Sequence, residues 1–157
     1  MTNSNYKTIA SKIKFEGRAF INGKYVNAID GKKFETINPA TGETLCSVAK
    51  CNSKDVDLAV KVSRKAFNSG VWSRTSPEFR KEVLLKFADL LRTHGIENSV
   101  LECIDTGKLI GDCINEVAND APMHFQWYGE LIDKVFGKVG PTEPSLTSLI
   151  VKEPIGI

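Results

Sequence analysis

The hydrophobic pattern of this chain changes its period near residue 53, and this change constrains the fold more than any other feature. Before it, short alternating runs are separated by turn residues, including Asn22-Gly23, Gly31 and Gly42. Asn-Gly adopts positive φ easily, which is typical of a two-residue hairpin turn. After it, apolar residues recur every three to four positions, as in helices that bury one face. The sequence therefore predicts an α+β arrangement in which β-hairpins come first and about four helices follow.

The first two predicted helices have start and stop signals. One covers residues 53–69, with Ser53 as its N-cap and Gly70 at its end. The next begins at Ser76-Pro77, because a cap residue followed by proline is a typical helix start, and it ends at Gly95. We expect the apolar stripe of this second helix to be buried. The stripe consists of Phe79, Val83, Phe87, Leu90 and Leu91.

Two further helices are predicted closer to the carboxyl end. A short one covers residues 96–105, and a long helical pattern runs from about Asp112 to Phe136. Pro122 lies inside the long pattern and lacks an amide hydrogen, so we expect a kink or a restart there. The large aromatic residues are interpreted as packing groups. They include Trp72, Trp127 and Tyr128.

The two ends of the chain differ in character. Residues 1–16 are polar and carry no clear periodicity, so we expect a flexible amino-terminal arm. The last residues contain a strand-like apolar run that begins at Leu146 and ends at Val151. A single strand has unpaired backbone groups along both edges. Its partners are therefore expected in the early hairpins, in another chain, or in sequence outside these 157 residues.

The balance of charge excludes some partners. The chain carries 21 basic and 19 acidic residues, a net charge of +2, which gives no basic footprint for nucleic acid. No segment reaches the roughly 18 apolar residues that a membrane-spanning helix needs. The first residues lack the apolar middle of a secretory signal. These features predict a cytoplasmic protein that binds neither nucleic acid nor membrane.

The cysteines and histidines do not form a metal motif. They are Cys46, Cys51, Cys103, Cys113, His94 and His124. No pair of cysteines has C-x-x-C spacing and neither histidine follows a cysteine at ligand spacing, which makes a zinc site improbable. In a reducing compartment all four thiols stay free. We expect Cys51 in a surface loop and the other three as small buried hydrophobes.

One row of polar side chains lies on a single side of the long helix. The row consists of Glu116, Asn119, Asp120 and His124. It is either an acid–base site or a solvated helix face, and the sequence leaves both readings open. Elsewhere, "DTGK" has a single glycine after a helix, which indicates a helix end rather than a phosphate-binding loop. No complete catalytic set is visible in the sequence.

Several segments together resemble the amino-terminal part of the aldehyde dehydrogenase superfamily. They are "FING", "NPATGE", "DVDLAVKVSRKAF", "RKEVLLKFADLL", "DTGK", "WYGELIDKVFG" and "KEPIGI". The resemblance runs from Phe20 to Ile157, and "WYGELIDKVFG" resembles the aminoaldehyde and γ-glutamyl-γ-aminobutyraldehyde branch. It departs from the common pattern at Leu109, where a proline often follows "TGK".

The resemblance implies an α/β family fold and a reaction that needs more than this chain. Residues 17–137 then correspond to the amino-terminal part of the coenzyme-binding domain, and residues 138–157 begin the oligomerisation strand region. Full-length relatives oxidise an aldehyde to a carboxylic acid with NAD or NADP through a cysteine thiohemiacetal. Their nucleophilic cysteine, general-base glutamate and nucleotide-binding segment lie further along the sequence. We therefore expect a fragment without catalytic domain, activity or bound cofactor.

The resemblance also assigns expected roles to a few residues. Glu116, Asn119, Asp120 and Met123 correspond to the helix that lines the substrate tunnel, and their acidic and amide groups suit a cationic or amino-bearing aldehyde. Thr36 and Asp105 correspond to part of a sodium or potassium site, which stays incomplete here. The run from Leu146 to Val151 corresponds to the oligomerisation strand, so a homo-oligomer is expected. The alternatives are a strand-mediated interaction module and a non-functional remnant of marginal stability.

Overall fold

The computed structural model describes residues 3–157, and its architecture is mixed α+β. The strands are β1 Ala19–Ile21, β2 Lys24–Val26, β3 Lys33–Ile37, β4 Thr44–Ala49, β5 Lys138–Gly140 and β6 Ser148–Ile150. The helices are α1 Asn3–Ala10, α2 Ser53–Ser69, α3 Pro77–Thr93, α4 Gly95–Thr106, α5 Ile110–Cys113 and α6 Ala121–Leu131. A π-helical stretch, Ile114–Asp120, joins α5 to α6 and is called the π segment below. The predicted order of hairpins followed by helices is confirmed from β1 to α6, whereas α1 before it and the β5–β6 ribbon after it were not predicted.

The strands pair only as antiparallel ribbons of two within the described chain: β1 with β2, β3 with β4, and β5 with β6. The first turn has Asn22 at φ 55° and Gly23 at φ 72°, as the Asn-Gly signal predicted. Opposite each other on β1 and β2, Phe20 and Tyr25 make an edge-to-face contact with ring centroids 5.0 Å apart. Each ribbon is therefore held by local pairing, and the ribbons do not merge into a shared sheet.

The carboxyl-terminal strand is not the lone strand that the sequence suggested. β6 pairs with β5 in the register Lys138 to Ile150, Val139 to Leu149 and Gly140 to Ser148. The sequence reading missed β5 because its three residues are too short to show an alternating pattern. All three residues of β6 are nevertheless exposed, so the pairing covers one edge and neither face.

The amino-terminal arm also differs from the expectation of a flexible segment. Residues Asn3–Ala10 form α1, which packs against α4. Helices of this length depend on tertiary packing rather than on intrinsic propensity, and packing is invisible in local sequence.

A buried carboxylate fixes the start of α2 to the segment after β2. The N-cap is Asn52 rather than the predicted Ser53, and its side chain accepts a hydrogen bond from the Lys54 amide at 2.8 Å. Asp55 completes a capping box, because its Oδ2 accepts the Asn52 amide at 2.8 Å. Its Oδ1 accepts the Ile29 amide at 2.9 Å, which ties the second turn region to the helix.

The most extensive helix–helix contact joins α3 to α6. Gly129 permits close approach, because a Cβ there would lie 3.1 Å from Cβ of Leu84. At the end of this contact Lys81 Nζ lies 3.0 Å from Asp133 Oδ2. Hydrogen bonds from Lys134 and then Lys81 lower the pKa of Asp133 to about 2.

The apolar stripe of α3 is only partly covered by the described residues, and Phe87 touches Phe125 of α6. The predicted buried stripe is wrong for Phe79, Val83, Phe87 and Leu90, which are all exposed, whereas Leu91 is half-buried. The prediction for Trp72, Trp127 and Tyr128 is wrong too, and Trp127 is 64% exposed. Periodicity identifies which residues suit burial, but it does not supply the surface that buries them.

None of the helices in residues 3–157 is long and apolar enough to cross a membrane.

Candidate functional site

The π segment is the structural centre of the candidate site. α5, the π segment and α6 form one continuous helix from Ile110 to Leu131. At the end of the π segment the Ala121 amide donates to the carbonyl of Glu116, five residues earlier. In place of the predicted kink or restart at Pro122, the structure has a run of wide turns. In these turns the hydrogen bonds are shifted, so that the missing amide hydrogen of the proline does not break the helix.

A spacing of four residues explains which side of this helix is buried. Cys113, Val117, Ala121 and Gly129 all lie on the packed side, at intervals that are multiples of four. In an uninterrupted α-helix each step of four residues drifts by about 40°, so sixteen residues drift by about 160°. Wide turns reduce this drift and keep the positions on one side.

α4 forms the floor beneath the π segment. Gly95, the first residue of α4, is buried, and a Cβ added there would lie 2.8 Å from Cβ of Ala118. The buried Ser99 donates its hydroxyl hydrogen to the carbonyl of Gly95 at 2.7 Å, so its polar group is satisfied. The backbones of α4 and the π segment therefore approach closely, and this approach holds the outward polar face in place.

The predicted substrate-facing side chains lie on the exposed side of this helix. Glu116, Asn119, Asp120 and Met123 are all exposed. Asn119 Nδ2 donates to Oδ1 of its neighbour Asn115 at 3.4 Å. These four residues are called the polar face below.

Glu116 differs from its neighbours because a lysine holds it. Lys108 Nζ lies 2.6 Å from Glu116 Oε2 and 3.7 Å from Glu102 Oε1. The hydrogen bond to Glu116 raises the pKa of Lys108. This contact occupies the Glu116 carboxylate, so Asp120 carries the anionic character that stays available on the polar face.

The acid–base reading of this row gains no support from the contacts. His124 Nδ1 lies 2.8 Å from the backbone oxygen of Asp120, within its own helix. Among the described residues no hydrogen bond links the His124 ring to a carboxylate of the polar face. The arrangement is suited to attracting a cation rather than to relaying a proton.

Thr36 and Asp105, predicted as part of a cation site, lie on the same side of the described structure. Both line a cavity of about 550 Å³ between the β3–β4 ribbon and α4. The ribbon has an irregularity between Thr36 and Ile37, which changes the direction of the strand at the cavity. Hydroxyl and carboxylate oxygens are the hard donors that alkali cations use. They fit in kind, but two donor side chains do not complete a coordination shell.

Two other acidic groups line the same cavity. Glu16 is paired with Arg18 at 2.6 Å, and that hydrogen bond lowers the pKa of Glu16 to about 2. Glu102 contacts Lys108 at 3.7 Å. In the part of the chain that the structure describes, no group of three or more histidine, cysteine, aspartate or glutamate residues is arranged to hold a metal ion.

The cysteines follow the predictions in part. Cys113 is fully buried, and burial raises the pKa of its thiol. Cys51 is exposed in a loop, as expected, whereas Cys46 and Cys103 are only half-buried. Cys103 donates from Sγ to the carbonyl of Lys108 at 3.1 Å. That hydrogen bond stabilises the turn after α4, so the Cys103 thiol has a structural role.

Comparisons with known proteins agree on one family. Residues 25–157 match the model of the aldehyde dehydrogenase family. The chain is 38% identical over 157 residues to aminoacetaldehyde dehydrogenase of Pseudomonas aeruginosa, covering all of this chain and 32% of that protein. It is 40% identical over 148 residues to the NADP/NAD-dependent aldehyde dehydrogenase PuuC of Escherichia coli, covering 94% of this chain and 30% of that protein.

Solved structures of aldehyde dehydrogenases also match this chain. The crystal structure of γ-glutamyl-γ-aminobutyraldehyde dehydrogenase from Burkholderia cenocepacia superposes with a TM-score of 0.95 at 40% identity, covering 99% of this chain and 32% of that one. An indole-3-acetaldehyde dehydrogenase in complex with NAD+ also gives 0.95, at 38% identity, covering 99% of this chain and 32% of that one. The chain thus spans about a third of the length of the proteins it matches.

Proposed function

Since the chain belongs to the aldehyde dehydrogenase family, we propose that it supplies the amino-terminal scaffold and one wall of the substrate site of an enzyme that oxidises an aldehyde to a carboxylic acid. The observation that carries this proposal is the TM-score of 0.95 over 99% of the chain and 32% of a family member. NAD+ or NADP+ would accept the hydride in that reaction. Among the residues of this chain, the polar face would contact the aldehyde.

The charge of the polar face favours an amino-bearing aldehyde as the substrate. Asp120 is exposed, and no other described side chain neutralises its carboxylate. An ammonium group about 4 Å from a carboxylate gains about 1 kcal/mol in water. This gain corresponds to roughly a fivefold effect on binding. The relatives named for aminoacetaldehyde and γ-glutamyl-γ-aminobutyraldehyde support the same substrate class.

A chimera tests this substrate assignment. The chain replaces the matching 30% of PuuC, and KM is measured for aminoacetaldehyde and for acetaldehyde. Asp120→Asn is expected to raise KM for aminoacetaldehyde about fivefold and to leave KM for acetaldehyde unchanged. Asp57→Asn, an exposed aspartate on α2, is the matched control. Equal changes for both aldehydes would contradict the role of Asp120.

We further propose that this chain alone does not oxidise aldehydes. The buried Cys113 has a raised pKa, which disfavours the thiolate that a nucleophile needs. The more accessible thiols have structural or loop positions, with Cys103 bonded to a backbone carbonyl. A reducing compartment, the cytoplasm, is proposed as its location because cysteines persist there as the free thiols seen in this structure.

A second function, self-association through β6, is favoured by the exposed carboxyl-terminal ribbon. β6 pairs with β5 along one edge, and Leu149 is 65% exposed. A free strand edge with apolar side chains is a template for pairing with a second copy. Such pairing would form a homo-oligomer.

Light scattering after size-exclusion chromatography tests the self-association. The chain is expected to run as a dimer or larger, and Leu149→Lys is expected to shift it to a monomer. Leu109→Lys is the matched control, because Leu109 is an exposed leucine just before α5 and outside the β5–β6 ribbon. A monomeric wild-type chain contradicts this function.

A further inference from the structure

Pro122 is fully buried and lies at the junction between the π segment and α6. In an α-helix the amide of this residue would donate to the carbonyl of Ala118. Proline has no such hydrogen, and its ring clashes with the carbonyl four residues earlier. The Ala121 amide already donates to Glu116, five residues earlier, so the wide register is established one residue before the proline.

Packing fixes the helix on both sides of this junction. At one end Cys113 is fully buried. At the other end Gly129 faces Leu84, and the rings of Phe125 and Phe87 lie 4.7 Å apart. With both ends held, a change of register inside the π segment has to rotate the side chains between them. One residue corresponds to about 100° of rotation in an α-helix.

We propose that Pro122 is a positioning residue: it holds the π segment in its wide register, and that register decides which side chains form the polar face. In this register Glu116 reaches Lys108 at 2.6 Å, while Asn119 and Asp120 stay on the exposed side. The consequence for substrate rests on the proposed function. The register and the contact between Glu116 and Lys108 are properties of the chain alone.

Two substitutions restore the amide hydrogen at position 122 and remove the proline ring. Pro122→Ala and Pro122→Ser both restore an amide hydrogen, and serine keeps more side-chain volume. Pro77→Ala is the matched control, because Pro77 lies in the first turn of α3, where an amide has no partner within the helix.

Two measurements on the 157-residue chain report the register. Through-hydrogen-bond NMR couplings show whether the Ala121 amide donates to Glu116 or, as in an α-helix, to Val117. An NMR titration of Lys108 reports its contact with Glu116, since that contact raises the Lys108 pKa. Glu116→Gln calibrates the titration, because it removes the charge without restoring an amide.

In both Pro122 variants the Ala121 coupling is expected to move from Glu116 to Val117, and the Lys108 pKa to fall towards its ordinary value. Pro77→Ala is expected to change neither readout, and Glu116→Gln only the second. An unchanged coupling in both Pro122 variants overturns the proposal. Loss of folding in both overturns it as well, because the proposal gives Pro122 a role in register and not in stability. Neither readout involves an aldehyde, so this result and the kinetics of the chimera succeed or fail separately.

Discussion

Replacing Asp55 by alanine is expected to lower the free energy of unfolding by about 2–3 kcal/mol. Asp55 is 3% exposed, and its two oxygens accept the amides of Ile29 at 2.9 Å and Asn52 at 2.8 Å. A buried donor left without a partner costs about 1–3 kcal/mol. Both bonds are only partly buried, so water recovers some of the loss and about 1–1.5 kcal/mol, near the bottom of that range, applies to each.

Urea unfolding followed by far-ultraviolet circular dichroism measures this loss. For a chain of this size, the loss corresponds to a fall in Tm of about 4–12 °C. Asp55→Asn keeps one acceptor oxygen and is expected to lose about half as much stability. Asp57→Ala, an exposed residue of the same helix, is expected to stay within about 0.5 kcal/mol of the wild type. If Asp55→Ala and Asp57→Ala have the same effect, the anchoring role of Asp55 is refuted.

Three further predictions concern packing, pH and thiol reactivity. Gly95→Ala is expected to destabilise the chain by about 1–3 kcal/mol in urea, since its Cβ would meet another Cβ at 2.8 Å. Gly111→Ala, where a Cβ meets nothing within 4 Å, is expected to be neutral or stabilising. The stability contributed by the ion pairs of Asp133 is fully present above pH 3.8 and is lost as pH falls towards its folded pKa of about 2. Melting curves of Asp133→Asn are therefore expected to depend less on pH in that window, and an unchanged dependence would argue against the pairing. A colorimetric thiol reagent is expected to modify exposed Cys51 well before buried Cys113, and the reverse order would contradict the packing of α5.

Local features of the sequence predicted the elements whose causes are local. Asn22 and Gly23 take the positive φ that asparagine tolerates and that glycine adopts because it has no Cβ. Pro77 starts α3 after its serine cap. The boundary of α2 moved by one residue to Asn52, because the capping box with Asp55 outweighs the serine that follows.

Features that depend on distant contacts were not accessible in the same way. α1 forms against α4, and β5 forms against β6, although neither has a strong pattern of its own. The expectation that Thr36 and Asp105 belong to one site came from the family resemblance and not from spacing, and both line one cavity. For the π segment, Pro122 predicted an interruption, but the sequence did not show that the interruption takes the form of wide turns between two packed helix ends.

The exposure of the apolar stripe on α3 also depends on distant contacts that local sequence does not show. Phe79 and Leu90 follow a helical period, and yet both are exposed in the described structure. The pattern was correct about the helix, and what covers this side is not encoded in the helix itself.

The central claim is that this chain contributes scaffold and substrate contacts but does not itself oxidise aldehydes. The direct measurement is the absorbance of reduced nicotinamide, recorded for the purified 157-residue chain with aminoacetaldehyde and either NAD+ or NADP+. PuuC of Escherichia coli serves as the positive control under the same conditions. We predict no increase above the rate without protein. A rate that grows in proportion to the concentration of the chain would contradict the claim.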